Sequence, residues 1–148
     1  MGIVQRDGTM RSGELARMAG VSTDTLRHYE RLGLLARPQR TESGYRRYPP
    51  EALERVKMVR QALAVGFSLP ELARFLRSRE KGGVPCKEVR ALAALKLREM
   101  DRQLEDLKAM RDRVRLMLKD WDARLASTPK GLRAGLLESL VSGKKPQK

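Results

Sequence analysis

The stretch GELARMAGVSTDTLRHYERLGLL, residues 13–35, has the pattern of two short amphipathic helices joined by a glycine-containing turn. Ser12 is placed to cap the first helix and Gly20 to end it, while Ser22 and Gly33 do the same for the second. The residues expected to face a core are Leu15, Ala16 and Met18 in the first helix and Leu26, Tyr29 and Leu32 in the second. This arrangement predicts a helix-turn-helix.

The second helix would expose short polar and basic side chains, Thr23, Thr25 and Arg27. Side chains of this size and charge fit the major groove of DNA, where they can reach base edges. An ordinary helical hairpin with a solvated face would show the same spacing. The helix alone therefore leaves both interpretations open.

The following segment, ARPQRTESGYRRYPP at residues 36–50, indicates a small basic hairpin. Ser43 and Gly44 form the turn, and Arg40, Arg46 and Arg47 lie around it. Such a hairpin beside a helix-turn-helix is a wing, whose cations grip phosphates while the helix contacts bases. An alternative role for Tyr45 and Tyr48 is to pack the hairpin onto the helices, and for Tyr48 we expect that core role.

Two further amphipathic helices are expected after the wing. Pro49 and Pro50 are placed to open the first, which Gly66 ends, and Ser68 to cap the second. Their apolar residues are Leu53, Val56, Met58, Val59 and Leu63, then Leu69, Leu72, Phe75 and Leu76. Nothing in these helices indicates catalysis.

From Cys86 to about Leu125 the chain contains no Gly or Pro, and apolar residues recur at steps of three and four. This spacing predicts a helix of roughly 60 Å with a coiled-coil seam. The predicted dimer-interface residues are Val89, Ala93, Leu97, Met100, Leu104, Leu107, Val114, Leu118 and Trp121. So long a seam needs a partner, most simply a second copy.

We therefore expect an all-α protein with a small β wing. The predicted organisation is an N-terminal extension at 1–9, with Met10 an alternative start, a winged helix-turn-helix domain at 10–78, a linker at 79–85, a dimerisation helix at 86–125, and a loop, short amphipathic segment and basic tail at 126–148.

The composition supports a partner of opposite charge. Thirty-two Lys and Arg against 18 Asp and Glu give a net charge of +14, which favours binding to phosphate backbones. One cysteine forms no intramolecular disulfide, and no segment has the character of a signal peptide or membrane span, so a cytoplasmic location is expected.

In this order of parts the chain resembles the MerR family of bacterial transcription regulators. The matching segments are residues 13–35, RTESGYRRY at 40–48, ALAVGFSLPELARFL at 62–76 and CKEVRALAALKL at 86–97. The resemblance implies a homodimer with an antiparallel coiled coil that binds a near-palindromic operator in a promoter. Effector binding would distort the DNA so that RNA polymerase starts transcription, as an activator or repressor according to state.

Residue by residue, the resemblance also implies DNA contacts. Arg27 or Thr25 would touch bases, and the arginines of the wing would hold phosphates. The full set of implied contacts is Ser22, Thr23, Thr25, Arg27, Tyr29, Arg40, Tyr45, Arg46 and Arg47.

Cys86 lies where metal sensors of this family carry one ligand, so the resemblance raises a divalent heavy metal as cofactor. Two further cysteines are expected from the partner chain, near positions 121 and 128, where this chain has Trp121 and Thr128. Soft metals need two or more thiolate or imidazole ligands, and His28 lies on the recognition helix. Metal binding through Cys86 is therefore doubtful.

Four interpretations of Cys86 stay open. It is a remnant of a metal site, a thiol sensor activated by the helix N-terminus and Lys87, a metal ligand completed by the partner's Asp120 and Asp122, or a structural residue.

Two other function classes compete with a transcription regulator. An enzyme is disfavoured, because one His, one Cys and no phosphate-binding glycine loop do not supply catalytic machinery. A basic protein that coats nucleic acid without sequence preference is the alternative function, and steep salt dependence without selectivity would mark it.

Overall fold

The computed structural model describes residues 8–142, and the predicted basic tail and most of the N-terminal extension lie outside them. The described residues form two compact units, one up to residue 96 and the other from residue 97. The elements, in chain order, are β1 (Met10–Arg11), α1 (Ser12–Ala19), α2 (Thr23–Arg31), β2 (Gln39–Arg40), β3 (Arg46–Tyr48), α3 (Glu51–Ala64), α4 (Leu69–Glu80), α5 (Cys86–Ser127) and α6 (Leu136–Val141). The expected fold, mostly helical with a small sheet, is confirmed.

The helix-turn-helix has the expected boundaries apart from its start. Gly20 adopts a left-handed conformation, φ 68°, and its N–H donates to the carbonyls of Ala16 and Arg17, which ends α1. The prediction that Ser12 caps α1 is wrong. Arg11 occupies the cap position in extended conformation, where it also pairs in the sheet, so Ser12 is already helical. The Arg11 side chain makes no capping bond, because a guanidinium has no acceptor.

The buried side of α1 also differs from the prediction at one position. Leu15, Ala16 and Ala19 are buried, whereas Met18 is half exposed. The buried residues are spaced i, i+1 and i+4, so they form one stripe on α1. Met18 lies beside this stripe, on the solvent-facing side of the helix.

The wing is a three-stranded antiparallel sheet in the order β1-β3-β2. Gln39 pairs with Arg47 and Arg40 with Arg46, which confirms the predicted hairpin. The turn closes through bonds from Thr41 N–H to the Tyr45 carbonyl at 2.9 Å and from Gly44 N–H to the Thr41 carbonyl at 2.8 Å. Sequence patterning missed β1, since two residues carry no measurable alternation.

A single core joins the sheet to α1–α4. Its fully buried side chains come from five different segments of the first unit, which holds the two helices of the motif against the wing and α3. They are Tyr48, Leu15, Leu26, Leu34, Val56 and Val59.

A part-buried ion pair links helix α4 to the third turn of α5. Ser68 and Glu71 form a capping box, as Ser68 was predicted to cap this helix, and Lys96 Nζ lies 2.9 Å from Glu71 Oε2. Lys96 also lies 5.7 Å from the centroid of the Phe67 ring. Since α4 extends to Glu80, two residues of the predicted linker are helical.

In the second unit, the apolar stripe of α5 is exposed. Leu97, Met100, Leu104 and the residues that follow at seam spacing contact solvent, and no residue of α5 is classed as buried. Trp121 is half-buried against α6, with its Nε1–H donating to Ser139 Oγ at 3.1 Å. Among residues 8–142, no helix combines the length and apolarity that crossing a membrane requires.

We expect Glu71→Ala to lower the free energy of unfolding by about 1–2 kcal/mol at pH 7, because it removes a capping group and one partner of an ion pair. The capping bonds of Ser68, followed by Lys96, lower the pKa of Glu71 from its ordinary 4.5. Its contribution is therefore present above pH 4.5 and lost as pH falls through the lower folded value. Chemical denaturation at pH 7 and pH 3 measures the difference.

Glu54→Ala is the matched control, since within residues 8–142 its carboxylate pairs only with Lys57 on the same helix, and both side chains are exposed. The capping and ion-pair role of Glu71 is contradicted if Glu71→Ala and Glu54→Ala lower the free energy of unfolding equally at pH 7. It is also contradicted if the loss for Glu71→Ala is the same at pH 3 as at pH 7.

Candidate nucleic-acid interface

The start of α2 is fixed by its cap. Ser22 Oγ accepts a bond from the Thr25 N–H at 3.0 Å and lies 2.9 Å from Thr25 Oγ1. The predicted cap is confirmed. Ser22 thus orients the first turn of the recognition helix, and Thr23 and Thr25 are partly exposed there.

Arg27 lies one turn further along the exposed face of α2. Its Nη1 is 3.1 Å from Asp24 Oδ1, and both side chains are solvent-exposed. An exposed pair of this kind contributes little stability, so Arg27 can exchange Asp24 for a base or phosphate at small cost.

The predicted role of Tyr29 as a DNA contact is contradicted by its position. Only 4% of Tyr29 is exposed, because it lies on the same side of α2 as Leu26 and packs in the core. Burial raises the pKa of its phenol. Tyr29 is therefore a core residue, as its spacing with Leu26 also indicated.

The wing presents a different mixture of side chains. Tyr45 is 69% exposed at the turn, so the alternative in which it packs the hairpin onto the helices is wrong. Arg40 Nη1 donates to the Gly44 carbonyl at 2.9 Å and thereby braces the turn. Arg46 and Arg47 are partly exposed on β3.

Glu30 connects α2 to the wing, a role that no local sequence pattern indicated. Its Oε2 accepts bonds from Arg46 Nε and from the Tyr48 hydroxyl, each at 3.1 Å. The Glu30 and Arg46 side chains are 13% and 24% exposed, so the pair is shielded. Burial, and then the charge of Glu30, raises the pKa of Tyr48, which stays a neutral donor.

A basic groove of about 560 Å³ surrounds this connection. Besides Arg40 and Arg46 it is lined by Arg31 and Arg37, which the sequence analysis also missed. Arg11 and Arg47 line a neighbouring groove of about 420 Å³ with Tyr45. In the sequence, Arg11, Arg31 and Arg37 are marked only by their positive charge. Their position beside the wing depends on the strand pairing, which no local pattern reports.

The described residues of a single chain do not by themselves assemble a soft-metal site around Cys86. Its thiol is exposed, and no group of three or more His, Cys, Asp or Glu side chains among residues 8–142 is placed to hold an ion. Instead Cys86 borders an apolar groove of about 790 Å³ on the first unit. Phe67, Leu72, Phe75 and Val89 contribute to its lining.

Comparisons with known proteins agree on one family. The family model described as MerR HTH family regulatory protein matches residues 10–79, and that described as MerR, DNA binding matches residues 53–117. The mercuric resistance operon regulatory protein of Bacillus cereus is 34% identical over 88% of this chain and 96% of its own length.

Two solved structures extend the similarity. A lead(II)-bound transcription regulator from Ralstonia metallidurans has a TM-score of 0.72 at 30% identity, covering 89% of this chain and 99% of its own. HiNmlR, a MerR family regulator lacking the sensor domain and bound to promoter DNA, has a TM-score of 0.54 at 26% identity, covering 80% and 94%.

Because only one thiol is available per chain, we expect no tight binding of zinc or lead that depends on Cys86. Titrating the reduced protein with each metal in competition with a chelator, beside Cys86→Ala, measures this. Wild type and variant should give the same curve. Tight binding that disappears in Cys86→Ala would show that other ligands have replaced the missing thiolates.

Proposed function

The chain belongs to the MerR family of helix-turn-helix regulatory proteins, and from this membership we propose that two copies bind a near-palindromic promoter operator and distort it in response to an effector. As a member of this family, the chain is a DNA-binding transcription regulator and not an enzyme. The dimer, the operator and the distortion that RNA polymerase would use are the proposal.

The observation that carries DNA recognition is the pairing of a capped helix with a basic wing. Ser22 holds the polar first turn of α2 in place, while Glu30 ties the other end of α2 to β3. Base readout is assigned to Thr23, Thr25 and Arg27, and phosphate contacts to Arg40, Arg46 and Arg47. Tyr45, exposed at the wing tip, is placed to lie against the sugar-phosphate backbone.

The exposed seam of α5 supports the dimer. Leu104 is 50% and Leu107 61% exposed, although burying a leucine fully contributes about 1.5–3 kcal/mol. A repeating apolar stripe left in water is typical of an interface. The dimer proposal assigns Val89, Ala93, Leu97, Met100, Leu104, Leu107, Val114, Leu118 and Trp121 to it, in an antiparallel coiled coil.

The effector is proposed to be something other than a thiolate-bound heavy metal, since each chain supplies a single cysteine and soft metals need two or more thiolate or imidazole ligands. The net charge of +14 is equally consistent with the alternative function, a protein that coats nucleic acid without sequence preference. The two functions differ in selectivity, which binding to random DNA measures.

Selection of random duplexes by the protein should yield a palindrome whose half-sites lie about one helical turn, roughly 34 Å, or a small multiple apart. On that site Thr25→Val should change the preference at a few base pairs while leaving the salt dependence unchanged. Arg40→Ala should weaken binding to all sequences and lower the slope of log K against log salt by about 0.9. Fluorescence anisotropy across a salt series measures both effects.

An unselective pool would favour the coating protein and overturn the regulator. Equal effects of both substitutions on every sequence would contradict the division between base readout and phosphate binding.

We expect Leu104→Glu to dissociate the dimer, because it places a charge in the centre of the apolar seam. Gln103→Glu adds the same charge one position away, off the seam, and should leave the dimer intact. Sedimentation equilibrium at micromolar concentration measures the mass. A monomeric wild-type protein, or identical behaviour of the two variants, would overturn the interface.

A further inference from the structure

The connection between α2 and the wing is made by an acidic residue in a strongly basic surface. Glu30 lies among Arg31, Arg37, Arg40 and Arg46, which line one groove. A carboxylate at a surface that binds phosphates opposes binding by charge alone, so its presence there needs a physical reason.

That reason lies in the two bonds that its Oε2 accepts. Arg46 Nε and the Tyr48 hydroxyl both reach this one oxygen from β3, at 3.1 Å. The pair with Arg46 is shielded from water, which makes a charge-assisted bond stronger and more directional than an exposed one. The bond uses Nε and thereby leaves the terminal nitrogens of Arg46 for a phosphate.

We infer that Glu30 is a positioning residue for DNA recognition, which fixes the wing relative to the recognition helix and orients the Arg46 guanidinium. This inference rests on the proposed function, since it assumes that α2 and the wing engage one operator together. Glu30 itself touches no DNA. It sets the spacing between base readout and phosphate contacts, so that both fit the same half-site.

Positioning and simple charge predict opposite results for Glu30→Gln. If Glu30 acts only through its charge, removing it raises affinity for every duplex. If it positions the wing, affinity for the selected operator falls while affinity for random DNA holds or rises. Gln keeps one acceptor oxygen but removes the charge that strengthens both bonds, so we expect the ratio of specific to non-specific affinity to fall about tenfold. The salt slope should not decrease, because no cation is removed.

Glu42→Gln is the matched control, because Glu42 is an exposed carboxylate in the wing turn and its removal changes the charge equally. Tyr48→Phe is the second variant. It keeps the buried ring and removes the hydroxyl that donates to Glu30, so it should lower the specificity ratio in the same direction. Thermal unfolding of each variant establishes that it is folded at the assay temperature.

The measurement is anisotropy titration of the wild type and the three variants with the selected operator and with a scrambled duplex. A lower ratio in Glu30→Gln and Tyr48→Phe, but not in Glu42→Gln, supports the inference. The inference is overturned if Glu30→Gln and Glu42→Gln give the same ratio of specific to non-specific affinity. If Glu30→Gln does not fold, a wild-type ratio in Tyr48→Phe overturns the inference instead. Absence of any selected operator for the wild type would instead overturn the proposed function.

Discussion

The phenol of Tyr48 is the point at which the sheet, the recognition helix and the core meet. Its ring is fully buried, and β3, which carries it, pairs with both β1 and β2. Its hydroxyl donates to Glu30 on α2. Because a buried hydroxyl without a partner costs about 1–3 kcal/mol, the acceptor that Glu30 supplies from α2 helps to stabilise the ring in this position, beside a second hydrogen bond with Ser12 of α1. The placement of the wing is thus coupled to the placement of α2.

A second constraint comes from the second unit. A stripe of leucines, methionines and valines runs along α5 and is covered by nothing in the described part of the chain. The charged residues beside it form short-range pairs along the helix, such as Arg102 with Glu99 and Asp106. These pairs support the helix but cannot shield the apolar stripe. Association of two copies is the simplest arrangement that would cover the apolar stripe and leave these charged pairs at the surface.

Sequence patterning predicted most of the fold because helix caps and turns are local. Gly20, Ser22 and Ser68 act where they were expected, and the turn at Gly44 formed as predicted. The misses are non-local. The capping role of Ser12 failed because Arg11 pairs with a strand more than 30 residues away, which no local signal reports.

The candidate site shows the same limit. The exposure of Arg27 follows from the helical period, and that of Tyr45 from its place beside the predicted turn. For Tyr29, the resemblance implied a DNA contact, whereas its spacing with Leu26 indicated the core, where it lies. Glu30 and Arg37 gained their roles from tertiary convergence around β3. The contact between α4 and α5 is non-local in the same way. The 2.9 Å pair between Lys96 and Glu71 joins residues 25 positions apart, so a displacement of one helix against the other within the first unit has to break this pair or move both side chains together.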